Sequence, residues 1–196
     1  DDDDEEGTTT TGWEPVGQEL FGEAAFDLSG WAVAMSRDGS RMAASATKND
    51  SGGTESGHVR IFEFNNNNKR WYRVGNEIVG PAGSQIGVAM TLSGDGNTVA
   101  MASNAVSPYT GYVRVYRLNS NNNNNQWQQL GDDLVGTTER DRFGASISLN
   151  HNGNRLAVGA PYHNGNDQIR GQVKVYELSS DNTWVPLGSG RLYVVT

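Results

Sequence analysis

The chain of 196 residues contains no cysteine, only five prolines and three histidines, and no apolar run longer than a few residues. Each shortage excludes something. Without cysteine there is no disulfide framework, no thiolate nucleophile and no thiolate zinc site, and redox compartment cannot be read from thiol usage. Without a run of about 18 to 20 apolar residues there is no membrane-spanning helix. Basic residues are outnumbered, 15 Lys and Arg against 23 Asp and Glu for a net charge of −8. A broad phosphate-binding face is therefore not expected, and neither is a nucleic-acid partner. Gly-x-Gly-x-x-Gly and Walker-type loops are missing too, so there is no phosphate cradle of those kinds. The acidic run Asp1 to Glu6 lacks the basic and apolar regions of a secretory leader, so composition permits secretion without showing it. What the chain does hold is 25 glycines and 35% hydrophobic residues, 9% aromatic. That is enough apolar material for a core and too much for a disordered chain.

Internal repetition organises the rest. The turn dipeptides Asp38-Gly39, Asp95-Gly96 and Asn152-Gly153 are spaced by 57 residues, a period expected of repeat architectures. Before each turn lies a segment of small residues: Gly30 to Ser36, Gly87 to Ser93 and Gly144 to Asn150. After each turn come Met42 to Ser45, Val99 to Ala102 and Leu156 to Gly159, the second arm of a hairpin. Then Gly57 to Phe62, Gly111 to Tyr116 and Gly171 to Tyr176 alternate apolar with polar, the period of a half-buried strand. Trp13, Trp71, Trp127 and Trp184 each open Trp-x-x-Val/Leu-Gly, a fourth and more polar strand. Four short strands repeated at fixed period describe β-propeller blades, with small residues in the inner strand where blades crowd together. The expected fold is all-β, with four-stranded antiparallel meanders and no helix. The expected divisions are an acidic tail or linker at 1–12, the outer strand of an additional blade at 13–22, blades at 23–80, 81–136 and 137–192, and an apolar end at 193–196. Three blades do not close a ring, so the reading expects an oligomer or part of a larger propeller, with further blades or protein partners covering the apolar ends. The Asn-rich tracts Asn65 to Asn68 and Asn121 to Asn125 read as solvated loops between the third and fourth strands.

The third repeat carries Phe143-Gly144 and, after the turn, Gly159-Ala160-Pro161. In these residues the chain resembles the FG-GAP repeats of integrin α-chain heads and of many extracellular microbial proteins. The signature decays to Ile86-Gly87 with Ala102-Ser103-Asn104 in the second repeat, and to Ser29-Gly30 with Ser45-Ala46-Thr47 in the first. The resemblance implies a propeller serving cell adhesion or protein binding, located outside the cell or on its surface. It also implies calcium loops between the first two strands. Here those loops, Ser36 to Ser40, Ser93 to Asn97 and Asn150 to Asn154, offer at most one carboxylate each. Calcium takes about six to eight oxygen ligands, so the turn reading is preferred and no cofactor is expected. His58, His151 and His163 show no metal-ligand spacing and read as surface or edge residues. Glu19, Glu77 and Asp133 read as a solvated periphery, and Arg60, Arg114 and Lys174 as their pairing partners. The sequence reading is therefore a non-catalytic interaction or structural scaffold, not an enzyme, with no catalytic, cofactor or metal residues. The alternative is a glycan-binding lectin or propeller enzyme with its site on the inter-strand loops. Ligand-facing residues would then be Tyr109, Tyr162, His163 and Arg170, with glycans among the expected partners. Asn49-Asp50-Ser51 is the one glycosylation sequon, placing a candidate glycan at Asn49.

Overall fold

The computed structural model describes residues 12–103, 109–120, 125–165 and 168–188. The acidic tail up to residue 11, most of the Asn104–Thr110 loop, Asn121 to Asn124 and the segment from 189 onward, including the expected apolar end, lie outside them. Among the described residues there is no helix.

Three antiparallel sheets follow one another. In the first, β1 (Ser29–Met35), β2 (Arg41–Ala46) and β3 (His58–Asn65) lie side by side, and the fourth strand is split into β4 (Arg70–Arg73) and β5 (Ile78–Val79), both paired to β3. The second repeats this with β6 (Ala89–Leu92), β7 (Thr98–Ser103), β8 (Tyr112–Asn119), β9 (Gln126–Gln129) and β10 (Leu134–Val135). In the third, β11 (Ser146–Leu149) and β12 (Arg155–Ala160) come first. A two-stranded hairpin, β13 (Asn164–Gly165) with β14 (Gln168–Ile169), then interrupts the path to β15 (Gln172–Leu178) and β16 (Trp184–Pro186). The sheets are the blades read from the sequence. The split in the fourth strand has a local cause: the glycine of Trp-x-x-Val/Leu-Gly adopts a left-handed φ, +73° at Gly75 and +75° at Gly131, which an extended ladder cannot continue through.

Cores form between blades rather than within one. Ala43, Val59 and Ile61 pack with Ile86, Val99, Met101 and Trp127 across the first junction. Ala102, Val113 and Val115 pack with Phe143, Leu156, Val158 and Trp184 across the second. Fully burying such a side chain is worth about 1.5–3 kcal/mol, against roughly 1 kcal/mol net for a hydrogen bond. Apolar burial therefore holds the blades together, and hydrogen bonds set their register. The register device repeats. The indole N–H of each outer-strand tryptophan donates to the Val or Leu carbonyl of the preceding Trp-x-x-Val/Leu-Gly: Trp71 to Val16 at 3.0 Å, Trp127 to Val74 and Trp184 to Leu130 at 2.9 Å each. On the inner side, Gly87 lies against Ser45, whose hydroxyl donates to the Gly87 carbonyl at 2.9 Å. A Cβ at Gly87 would sit 2.5 Å from that of Ser45, so the expectation that small inner-strand residues let blades approach is met.

Residues 13–22 form no strand. A strand needs a ladder partner, and no described segment pairs with this one. Gln18 instead exchanges two hydrogen bonds with the Trp71 backbone, 2.7 and 2.9 Å, as the Asn76 side chain does with that of Trp127. The segment thus meets blade one as the outer strand of blade one meets blade two.

Candidate functional site

At one end of the blades, the loops entering each first strand meet the loops leaving each second strand. Asp27, Ser84 and Asp141 each lie three residues before the glycine that opens the first strand, Gly30, Gly87 or Gly144, and all three are buried. In blade one Asp27 accepts a 2.8 Å hydrogen bond from Asn49 Nδ2. In blade three, at the matching positions, Asp141 Oδ2 lies 2.8 Å from His163 Nδ1. The backbone copies itself around both pairs. Lys48 N donates to Asp27 O as Tyr162 N does to Asp141 O, and Gly57 N donates to Asn49 O as Gly171 N does to His163 O. We call this arrangement a clasp. In blade two serine replaces the aspartate, and Ser103 Oγ donates to the Ser84 carbonyl.

The blade-three clasp differs in having chemistry. Asp141 is 2% exposed, and its second oxygen, Oδ1, is buried with no hydrogen-bond partner. With Nδ1 held by the carboxylate, Nε2 is the nitrogen left to exchange a proton. Arg142 stacks on the Tyr162 ring at 5.1 Å, and the Tyr109 carbonyl accepts from Arg142 N at 3.0 Å. Tyr109, Arg140 and Arg142 hold left-handed φ of +60°, +65° and +50°, each at a cost of about 1–3 kcal/mol that surrounding contacts must offset. Arg170 N donates to His163 O at 3.2 Å. All four residues named as ligand-facing, Tyr109, Tyr162, His163 and Arg170, therefore meet in one loop cluster. Asp141, Arg140 and Arg142 were missed. The signal available for them was the register of Asp27 and Asp141 relative to the following glycine.

Asn49 is 5% exposed, and Nδ2, the atom a glycan would occupy, is committed to Asp27. Two other expectations need correction. His58, read as a surface or edge residue, is 1% exposed at the start of β3. Its Nδ1 lies 3.1 Å from Glu77 Oε2, with Glu23 close by. Desolvation, then the Arg60 charge, push its pKa below the usual imidazole value despite the opposing pull of Glu77. The expected pairing with outer-strand acids forms at Asp133, which takes a two-pronged contact from Arg114 at 2.9–3.1 Å, and not at the other two positions. Arg60 pairs with Glu23 at 3.0 Å instead of Glu77, and Lys174 sits over the Phe143 ring at 5.8 Å.

In the first-to-second-strand loop of blade one, Asp38 Oδ1 accepts from the Ser36 and Ser40 hydroxyls at 2.7 and 2.8 Å and from Ser40 N at 3.0 Å. The Ser40 N–H first, then the two hydroxyls, hold this carboxyl at about 2. At the same end, between blades two and three, an open concavity is lined by Asp95, Asn97, Arg117, Gln128, Asn154 and Asn182. Leu118, Leu130 and Leu178 also line it, and it contains no buried acid or base among these residues.

No family model matches the chain, and no curated protein matches it. In fold it is similar to a solved structure of Sqt1 from Chaetomium thermophilum, at 19% identity over 86% of this chain and 37% of that one, with a TM-score of 0.54. It is also similar to a protein from Bacteroides fragilis described as a putative 6-phosphogluconolactonase, at 14% identity over 80% of this chain and 37% of that one, with a TM-score of 0.50. The chain thus spans about 37% of the length of either. These likenesses are of fold. The expectation of a non-catalytic scaffold that is not an enzyme is corrected to this extent: a protein of similar fold is described as a putative 6-phosphogluconolactonase, and a carboxylate that the spacing did not place beside any histidine, Asp141, lies 2.8 Å from His163 across 22 residues.

Proposed function

We propose that these blades carry the loop-face site of a propeller enzyme that hydrolyses a small anionic sugar ester or lactone, with His163 as general base. The observation that carries this reading is the buried Asp141 fixed on His163 Nδ1. A carboxylate in that position selects the tautomer and stabilises the imidazolium once Nε2 has taken a proton from water. The attacking water adds to the ester carbonyl, its proton goes to Nε2, and His163 returns that proton to the departing alkoxide. Arg142, whose guanidinium lies over the Tyr162 ring, supplies a cationic group near the pair, and Arg140 and Arg170 belong to the same loops in a chain of net charge −8, which suits a carboxylate or phosphate on the substrate. The tyrosines Tyr109 and Tyr162 offer exposed ring faces for a sugar. The B. fragilis neighbour is described by an activity of this class. The FG-GAP-like residues fit as the frame of the clasp: Phe143 is buried against Tyr176, and Gly144 lies under Ala102 with φ of +88°.

Blade one supplies the test. Asn49 occupies the His163 position there, so His163→Asn keeps a clasp partner and removes the base. With aldonolactones, with and without a phosphate group, as substrates, the purified protein should show hydrolysis. His163→Asn should abolish it while leaving the melting temperature within about 2 °C, since asparagine can donate to the buried Asp141 carboxylate as Asn49 does to Asp27. Full activity in His163→Asn, or no hydrolysis of any aldonolactone by the unaltered protein, would overturn the proposal.

A further inference from the structure

We propose that Glu23, His58 and Glu77 of the first blade form a binding site for one divalent transition-metal ion of the zinc class. One ligand atom from each, the imidazole nitrogen and two carboxylate oxygens, comes within 4.8 Å of the others. A tetrahedral ion with bonds of about 2.0–2.2 Å sets its ligands roughly 3.3–3.6 Å apart. His58 Nδ1 and Glu77 Oε2 already lie 3.1 Å apart. Glu23, exposed over 43% of its side chain, is the one that has to swing in.

The second observation is what the two inner groups lack. His58 is 1% exposed, and both His58 Nδ1 and Glu77 Oε2 are buried atoms without a hydrogen-bond partner. They face each other, yet their geometry makes no hydrogen bond. Buried polar atoms left in that state cost about 1–3 kcal/mol each. A cation shared by two such buried atoms 3.1 Å apart removes the cost on both sides.

Comparison between blades shows how the site arises. In blade two the acid equivalent to Glu77 is Asp133, and it is fully engaged by Arg114. In blade one the equivalent arginine, Arg60, is turned away to Glu23 Oε1 and the Phe21 carbonyl. Glu77 is thereby released, and histidine stands at the start of β3 where blade two has Tyr112 and blade three has Gln172. Arg60 engages Glu23 through Oε1, so the arginine orients that carboxylate through one oxygen without taking up both. One imidazole and two carboxylates suit zinc, cobalt or nickel. They suit magnesium and calcium poorly, since those ions prefer a larger all-oxygen set.

The test uses chelator-treated protein and zinc chloride followed by calorimetry, with cobalt(II) absorbance as a second readout. One ion per chain should bind, with ligand-field bands for cobalt and a melting temperature raised by zinc. Glu77→Gln preserves side-chain shape and should weaken binding by more than about tenfold, the least that even an indirect partner of a metal is worth. His58→Gln should do the same, and His163→Asn should leave metal binding unchanged, which separates this site from the proposed catalytic one. Absence of zinc binding by the unaltered protein, or equal affinity in a folded Glu77→Gln variant, would overturn the assignment.

Discussion

Gly17, Gly75 and Gly131 each sit beneath a tryptophan of the next blade, with left-handed φ of +82°, +73° and +75°. At Gly75 an added Cβ would meet Trp127 Cδ1 at 2.9 Å. Two penalties therefore combine there, about 1–2 kcal/mol for the backbone and about 1–3 kcal/mol for the clash. Gly83 separates them, having φ of +75° and nothing within 4 Å. Gly75→Ala should lower stability by roughly 2–5 kcal/mol and Gly83→Ala by roughly 1–2 kcal/mol, read from urea unfolding midpoints. Equal losses would mean that the tryptophan contact contributes nothing. The glycine was legible in the sequence as part of Trp-x-x-Val/Leu-Gly. Its reason was not, because the ring that presses on it comes from more than fifty residues downstream.

The hairpin turn is the element in which sequence and structure agree most closely. Ser36-x-Asp38-Gly39-Ser40 closes on itself through Asp38, and Ser179-x-Asp181 does the same toward Thr183. Hydrogen bonds hold Asp38 and Asp181 at about 2. The sign follows from linkage: a carboxyl whose folded value is depressed stabilises above its ordinary value of 3.8 and loses that contribution as pH falls toward about 2. Through these two carboxyls unfolding midpoints should drop between about pH 4 and 2, separately from the decline below the ordinary histidine value of 6.5 that His58, with its lowered pKa, contributes. Asp38→Ala should lower the plateau and shallow the drop, and an unchanged slope would show that the turn carboxylate does not contribute. Clasps were less legible. Asp27–Asn49 and Asp141–His163 are both spaced by 22 residues, but the partner is asparagine in one blade and histidine in the other, so the recurrence does not show as a repeated residue type.

At the scale of the whole molecule, the two sides of the array are unlike its interior. Gly30 and Gly188 repeat positions at which Gly87 and Gly131 are covered by the adjoining blade, yet no described atom lies within 4 Å of where their Cβ would be. Trp31, Val33 and Met35 on β1 are 57–66% exposed, and Val173 and Val185 on the last blade 48–64%. Apolar strands open on this scale associate. Sedimentation should show self-association at micromolar concentration, relieved by Trp31→Ser with Val33→Thr. A monomer at all concentrations would mean that these faces are covered by other means. Among the described residues no helix is long and apolar enough to cross a membrane.

Repeat period, strand alternation, small inner-strand residues and the outer tryptophans were set by the sequence alone, because each is a local pattern that recurs at constant spacing. The split of the fourth strand, the indole latches between blades, and the meetings of Asp141 with His163 and of Glu77 with His58 were decided by tertiary structure. In each case the partners belong to different strands or loops, and the distance between them depends on how sheets twist and stack rather than on residue count. Charge assignments failed at Glu77 and His58 for the same reason. A polar residue on a strand reads as solvated until the neighbouring loop is known to cover it.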